Sequence, residues 1–173
     1  MLPKKTSRRK CRDYEREWRG FCVDRNLDDD WLARLNELAA LDLISICEGH
    51  CNRQAEPAKT SSHIKLRLKE HHLPNIASCW DEHKMAILSK VNALFQAGDT
   101  YVNLELKFKL RSGTGRLTYQ EEMVMRVHAR QARAMGEMDT ATRAWFQQSV
   151  ERIEEIDRFM ATLCRNEDEG LLQ

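Results

Sequence analysis

From Val102 to Leu110 the chain alternates without a break. Val102, Leu104, Leu106, Phe108 and Leu110 stand against Asn103, Glu105, Lys107 and Lys109. A period of two puts one set of side chains on a core and the other toward solvent or a ligand, so a strand is expected here. His63 to Lys69 repeats the pattern, with Ile64, Leu66 and Leu68 against Lys65, Arg67 and Lys69. Leu43 to Cys47 is apolar on both faces apart from Ser45, as expected of a strand covered on both sides. Ser112-Gly-Thr-Gly115 signals a hairpin turn, and the returning strand is expected from Arg116 to about His128. Setting Arg111 opposite Arg116 pairs Phe108 with Tyr119 and Leu104 with Met123. It also sets Leu106 against Glu121 and Glu105 against Glu122, which a bulge near 120–122 would repair.

Helical spacing governs the rest. Tyr14, Trp18, Phe21 and Cys22 fit a short amphipathic helix, weakened by Gly20. Acids before Trp31 mark a helix start, and Trp31, Leu32, Leu35, Leu38 and Leu41 form its apolar face. Pro74 suits a first helical turn, Trp80 to Phe95 carries a long apolar stripe, and Gly98 is placed to end it. Asp139 or Thr140 starts the last helix, whose apolar face runs through Trp145, Ser149, Val150, Ile153, Ile156, Met160 and Leu163. The predicted order is α-β-β-α-β-β-α. That order gives an α+β fold in which a four-stranded, mostly antiparallel sheet of two hairpins packs against helices. Residues 1–12 read as a flexible basic arm, 13–165 as a single α+β domain and 166–173 as an acidic tail.

Composition adds little to this picture. Twenty-eight basic residues against 27 acidic ones leave the overall charge uninformative. Its distribution is bipolar: residues 1–20 carry eight bases and three acids, residues 151–169 seven acids and three bases. Such polarity allows one copy to pair with another, so a homo-oligomer is one expectation. No run approaches the ~18 apolar residues of a membrane span, and no export signal follows Met1. The six cysteines are scattered without a paired framework. They read as reduced thiols, which predicts a cytoplasmic protein.

Two sites are expected. The first is at the mouth of the hairpin from Asp42 to Glu70. If His50 faces His63, Glu48 faces Lys65 and Cys47 points into the core. Glu48, His50 and His63 then share a face and can bind a divalent ion, zinc or manganese, as a metal-dependent hydrolase would. An ordinary Glu48–Lys65 cross-strand pair is the plainer reading of the same residues. A second ligand set, Cys47, His50, Cys51 and His63, has the residue types of tetrahedral zinc, but its spacing matches no common zinc pattern. The other expected site is the polar face of the sheet. Lys65, Arg67, Lys107, Lys109 and Arg126 can form a basic surface that binds nucleic acid or a phosphorylated ligand. A solvated, lysine-rich face that discourages aggregation is the alternative. The face lacks exposed aromatics for base stacking if Phe108 and Tyr119 point inward. No glycine-rich phosphate loop, nucleophile elbow or helical His-Glu-x-x-His motif is present.

Overall fold

The computed structural model describes residues 10–49, 61–95, 98–113, 116–132 and 138–169. The chain begins with a two-stranded antiparallel hairpin, β1 (Glu15–Trp18) and β2 (Phe21–Asp24). A helix was expected across this stretch. Arg19 and Gly20 both adopt positive φ, 46° and 84°, which closes a two-residue hairpin turn instead. The alternation then buries Trp18 and Val23 in the core.

Next come α1 (Asp29–Asn36) and β3 (Leu41–Cys47). After residues 50–60, β4 (Ser61–Leu68) leads through a short 3-10 turn at Glu70–His72 into α2 (Leu73–Ser78). The predicted second helix is broken at Cys79, whose backbone leaves the helical region, and α3 (Trp80–Leu94) resumes beyond it. The helix stops at Leu94, ahead of Gly98. The long strands β5 (Thr100–Gly113) and β6 (Arg116–Ala132) follow, and α4 (Thr140–Glu169) ends the fold. Asp139 caps α4 by accepting the Thr142 N–H at 2.6 Å. The last helix therefore takes in Asn166–Glu169, which the sequence had assigned to the tail.

The larger sheet is antiparallel throughout, in the order β3-β4-β6-β5, so the fold is α+β with one four-stranded sheet as expected. One face of this sheet is the core. Leu41, Leu43, Ile46, Ile64, Leu66, Leu104, Met123, Met125 and Val127 pack there with Ile87 and Val91 of α3 and the apolar face of α4. Arg34 of α1 grips Glu154 of α4 through two bonds of 2.9 and 2.6 Å. This fork-on-carboxylate contact holds the Glu154 carboxyl below its usual range. Asp157, on the apolar stripe of α4, accepts backbone N–H groups from Ala39, Ala40 and Leu41 at 2.7, 2.8 and 2.9 Å.

Two expected registers are corrected. In the β5–β6 hairpin Gly113 faces Arg116, so Leu110 faces Tyr119, Leu106 faces Met123 and Leu104 faces Met125. This slip of two residues removes both poor pairs, and no bulge interrupts the ladder. The hairpin runs past the core, which leaves Phe108 68% exposed rather than buried. In the β3–β4 pair the irregularity lies between Leu43 and Ser45. Beyond it Cys47 faces His63 and Ser45 faces Lys65. Cys47 therefore shares the outer face with His63 rather than pointing into the core. Lys65, expected opposite Glu48, is opposite Ser45.

Cys11 and Cys22 are joined as a disulfide, against the expectation of six free thiols. The chain folds back on itself before β1, with the Glu15 N–H donating to Arg12 O at 2.9 Å. Cys11, assigned from sequence to a flexible arm, is thereby brought over β2.

Candidate functional site

The outer face of the sheet is built by parity from four strands. Its first row runs Cys47, His63, His128, Tyr101 across β3, β4, β6 and β5. The second row is Ser45, Lys65, Arg126, Asn103. Cross-strand neighbours are ~5 Å apart and alternate residues on a strand ~7 Å apart, so His63, His128, Lys65 and Arg126 occupy a patch about the size of one phosphate group. The His63 and His128 ring centroids are 5.5 Å apart.

His63 holds its ring by Nδ1, which donates to Ser61 O at 3.2 Å, so Nε2 is the other functional nitrogen. His128 titrates below the ordinary imidazole range. Burial is the main cause, with smaller contributions from His63 and Arg126. Tyr101 is 52% exposed beside this patch, its ring centroid 6.2 Å from that of His128. The sequence had left this face without an exposed aromatic. Parity with Asn103 and Glu105 was the signal that places Tyr101 on the outer face.

Beyond the second row the face changes character. Arg67 contacts Asp42 at 3.7 Å and Glu122 at 3.5 Å. Arg126 reaches Glu105 at 3.3 Å, and the Asn103 amide donates to Glu105 at 2.8 Å. Asn103, then Arg126 and Lys107, keep the Glu105 carboxyl below its usual range. Lys107 faces Glu122 across the ladder. Val124 lies amid these groups, 1% exposed and outside the main core cluster. A shallow cleft is lined by Arg67, Glu70, Glu121 and Glu122 among others. Acids predominate there, so it does not suit an anion. The expected basic face is thus divided. Lys65 and Arg126 lie with the histidines, whereas Arg67 and Lys107 lie in a mixed-charge zone. The Lys109 side chain is outside the described residues.

The hairpin mouth differs from its sequence picture. Glu48 is buried, its N–H donates to Asp24 Oδ2 at 2.8 Å, and Asn26 Nδ2 donates to Glu48 Oε1 at 3.2 Å. Ser62 Oγ donates to Glu48 O at 2.6 Å. His63 turns instead to Ser61 and His128. His50 and Cys51 lie outside the described residues, so neither expected ligand set is described in full. Burial, reinforced by the Asp24 carboxylate, pushes the Cys47 thiol up to about 12, which keeps it protonated near neutrality. Among the described residues, no helix is long and apolar enough to cross a membrane.

Comparison with protein-family models, curated proteins and solved structures finds no match to this chain.

Proposed function

We propose that this chain is a binding domain that takes single-stranded nucleic acid on the outer face of its sheet. A phosphate would sit at Lys65, Arg126, His63 and His128, and a base on Tyr101. The observation that carries this reading is the β4–β6 register, which sets Lys65 against Arg126 and His63 against His128 in adjacent rows. Two cations at directly opposed positions can donate to one phosphate from both sides. An exposed aromatic beside cations is how sheet-face binders stack an unpaired base. Arg67 and Lys107 lie farther from the histidines and contribute to the rim; Arg126 reaches Glu105 as well, so its guanidinium would be shared between that carboxylate and a phosphate.

The metal-dependent hydrolase reading has less support. Of its three residues, Glu48 is engaged with Asn26 and His63 faces a different set of neighbours.

A labelled single-stranded oligonucleotide tests the proposal in low salt. Affinity should fall steeply with added salt, because binding releases condensed counterions. Lys65→Glu and Arg126→Glu should each abolish most binding, and Tyr101→Ala should weaken it by ~1–3 kcal/mol per stacked base. Equal binding by Tyr101→Ala, with full competition by inorganic phosphate, would reassign the face to a phosphorylated small ligand. No binding of either by the wild-type protein would overturn the reading.

A further inference from the structure

We propose that Cys11, Glu15 and Cys22 form a zinc site when the two thiols are reduced. Their ligand atoms all lie within 4.8 Å of one another, and they are such a group among the described residues. The N-terminal hairpin assembles them. Glu17 faces Cys22 and Glu15 faces Asp24, so Glu15 and Cys22 are diagonal neighbours on one face of the ribbon. The chain ahead of β1 returns over that face and brings Cys11 to Cys22, with Cα atoms 5.4 Å apart.

The scaffold around them is held independently of the sulfurs. The Arg12 N–H donates to Glu15 Oε2 at 2.8 Å, which fixes the carboxylate. The Arg25 N–H donates to Tyr14 O at 3.0 Å and Arg25 Nη2 donates to Asp13 O at 2.6 Å, tying the incoming chain to the end of β2. Trp18 and Val23 anchor the opposite face of the ribbon in the core. All three ligand residues are half-buried, which leaves an entry path.

The donor set selects the metal. Two thiolates favour a soft or borderline ion over magnesium or calcium, and the carboxylate is an accepted third ligand of zinc. Tetrahedral zinc with sulfurs at ~2.3 Å places them ~3.8 Å apart, so the side chains need only rotate from the bonded arrangement. With three protein ligands the fourth position is open to water. The same sulfurs form either the disulfide or the two zinc bonds. A low-molecular-weight disulfide converts one to the other: it takes two electrons from the thiolates, is released as two thiols with two protons from solvent, and the zinc ion leaves.

Zinc titration of the reduced full-length chain against a chromophoric chelator tests this. One equivalent should bind. Cys11→Ser and Cys22→Ser should each weaken it on the order of 100-fold, and Glu15→Gln roughly tenfold. Cobalt in place of zinc should show a thiolate-to-metal charge-transfer band that either serine variant diminishes. Oxidising the zinc-loaded wild-type protein with oxidised glutathione should release the equivalent as the Cys11–Cys22 bond forms, a readout that needs no folded variant. Reduced protein that binds no zinc overturns the proposal. So does an equivalent that survives both serine substitutions and oxidation, which would place the ion at other side chains.

Discussion

Lys65 and Arg126 stand directly opposite each other across the β4–β6 ladder. Arg126 also reaches Glu105, and Ser45 faces Lys65 from β3. Lys65→Glu exchanges a pair of cations for an opposite-charge pair, so it should change stability by no more than ~1 kcal/mol while it removes oligonucleotide binding. Urea unfolding read beside a binding isotherm checks both. A variant that binds equally well would leave the pair without the role assigned to it.

His128 gives the face a pH dependence with a definite sign. Its folded-state value lies below the ordinary 6.5, mainly through burial. Between that lowered value and 6.5 the unfolded chain holds more protons than the folded one. The stabilisation is thus complete above the ordinary value and is lost as pH falls through the folded value. Unfolding free energy should decline on acidification across this window, and His128→Gln should flatten the decline. A bound phosphate favours the imidazolium, so oligonucleotide affinity should rise over the same window. If affinity instead falls with acid, the histidines do not face the phosphate.

Phe108 and Leu104 lie on the same face of β5 but differ in surroundings. Leu104 is 5% exposed in the core and Phe108 is 68% exposed on the projecting part of the hairpin. Leu104→Ala should cost ~2–5 kcal/mol. Phe108→Ala should change stability by no more than ~0.5 kcal/mol. Chemical denaturation of the two variants is the measurement. A large loss in Phe108→Ala would mean that something covers this ring in solution.

Alternation made β4 and β5 legible, because a period of two with one apolar set has few other structural solutions, whereas β6 was legible from the turn signal ahead of it and runs past its expected end near His128 to Ala132. Register was harder. Leu106 against Glu121 and Glu105 against Glu122 were conflicts visible in the sequence, and the register that sets Gly113 opposite Arg116 removes both, placing Glu121 opposite the exposed Phe108 instead. The irregularity in β3 left no such trace. Ile44 and Ile46 are both apolar, so a one-residue slip changes nothing in the pattern while it turns Cys47 to the outer face. Tyr14, Trp18 and Cys22 fit a helix as well as a ribbon, and only the backbone of Arg19 and Gly20 decides between them. The His63–His128 pair depends on β4 lying beside β6. Strand order of that kind is set by long-range packing that no local pattern encodes, so the candidate site was legible in its residue types and not in its assembly.

Asp157 is an acid on the same stripe of α4 as Ile153, Ile156 and Met160. The structure explains it. Only 4% of the residue is exposed, and its carboxylate takes the N–H groups of Ala39, Ala40 and Leu41 where the chain turns from α1 into β3. Ala39 and Ala40 precede β3 and Leu41 opens it at the edge of the sheet, so removing the carboxylate would strip the buried Ala40 and Leu41 donors of their acceptor. Hydrogen bonds to a charged acceptor contribute more than neutral ones, and stranding buried donors adds a desolvation cost. Asp157→Ala should then destabilise the protein by roughly 3 kcal/mol or more. Asp157→Asn keeps one acceptor oxygen but turns an amide donor toward other donors, so its cost should be intermediate. Hydrogen exchange at the Leu41 amide should accelerate in both variants. Oligonucleotide binding by the folded fraction should be unchanged, because Asp157 packs behind the sheet and Lys65 and Arg126 face away from it. A cost below ~1 kcal/mol for Asp157→Ala would show that water or another group satisfies these donors.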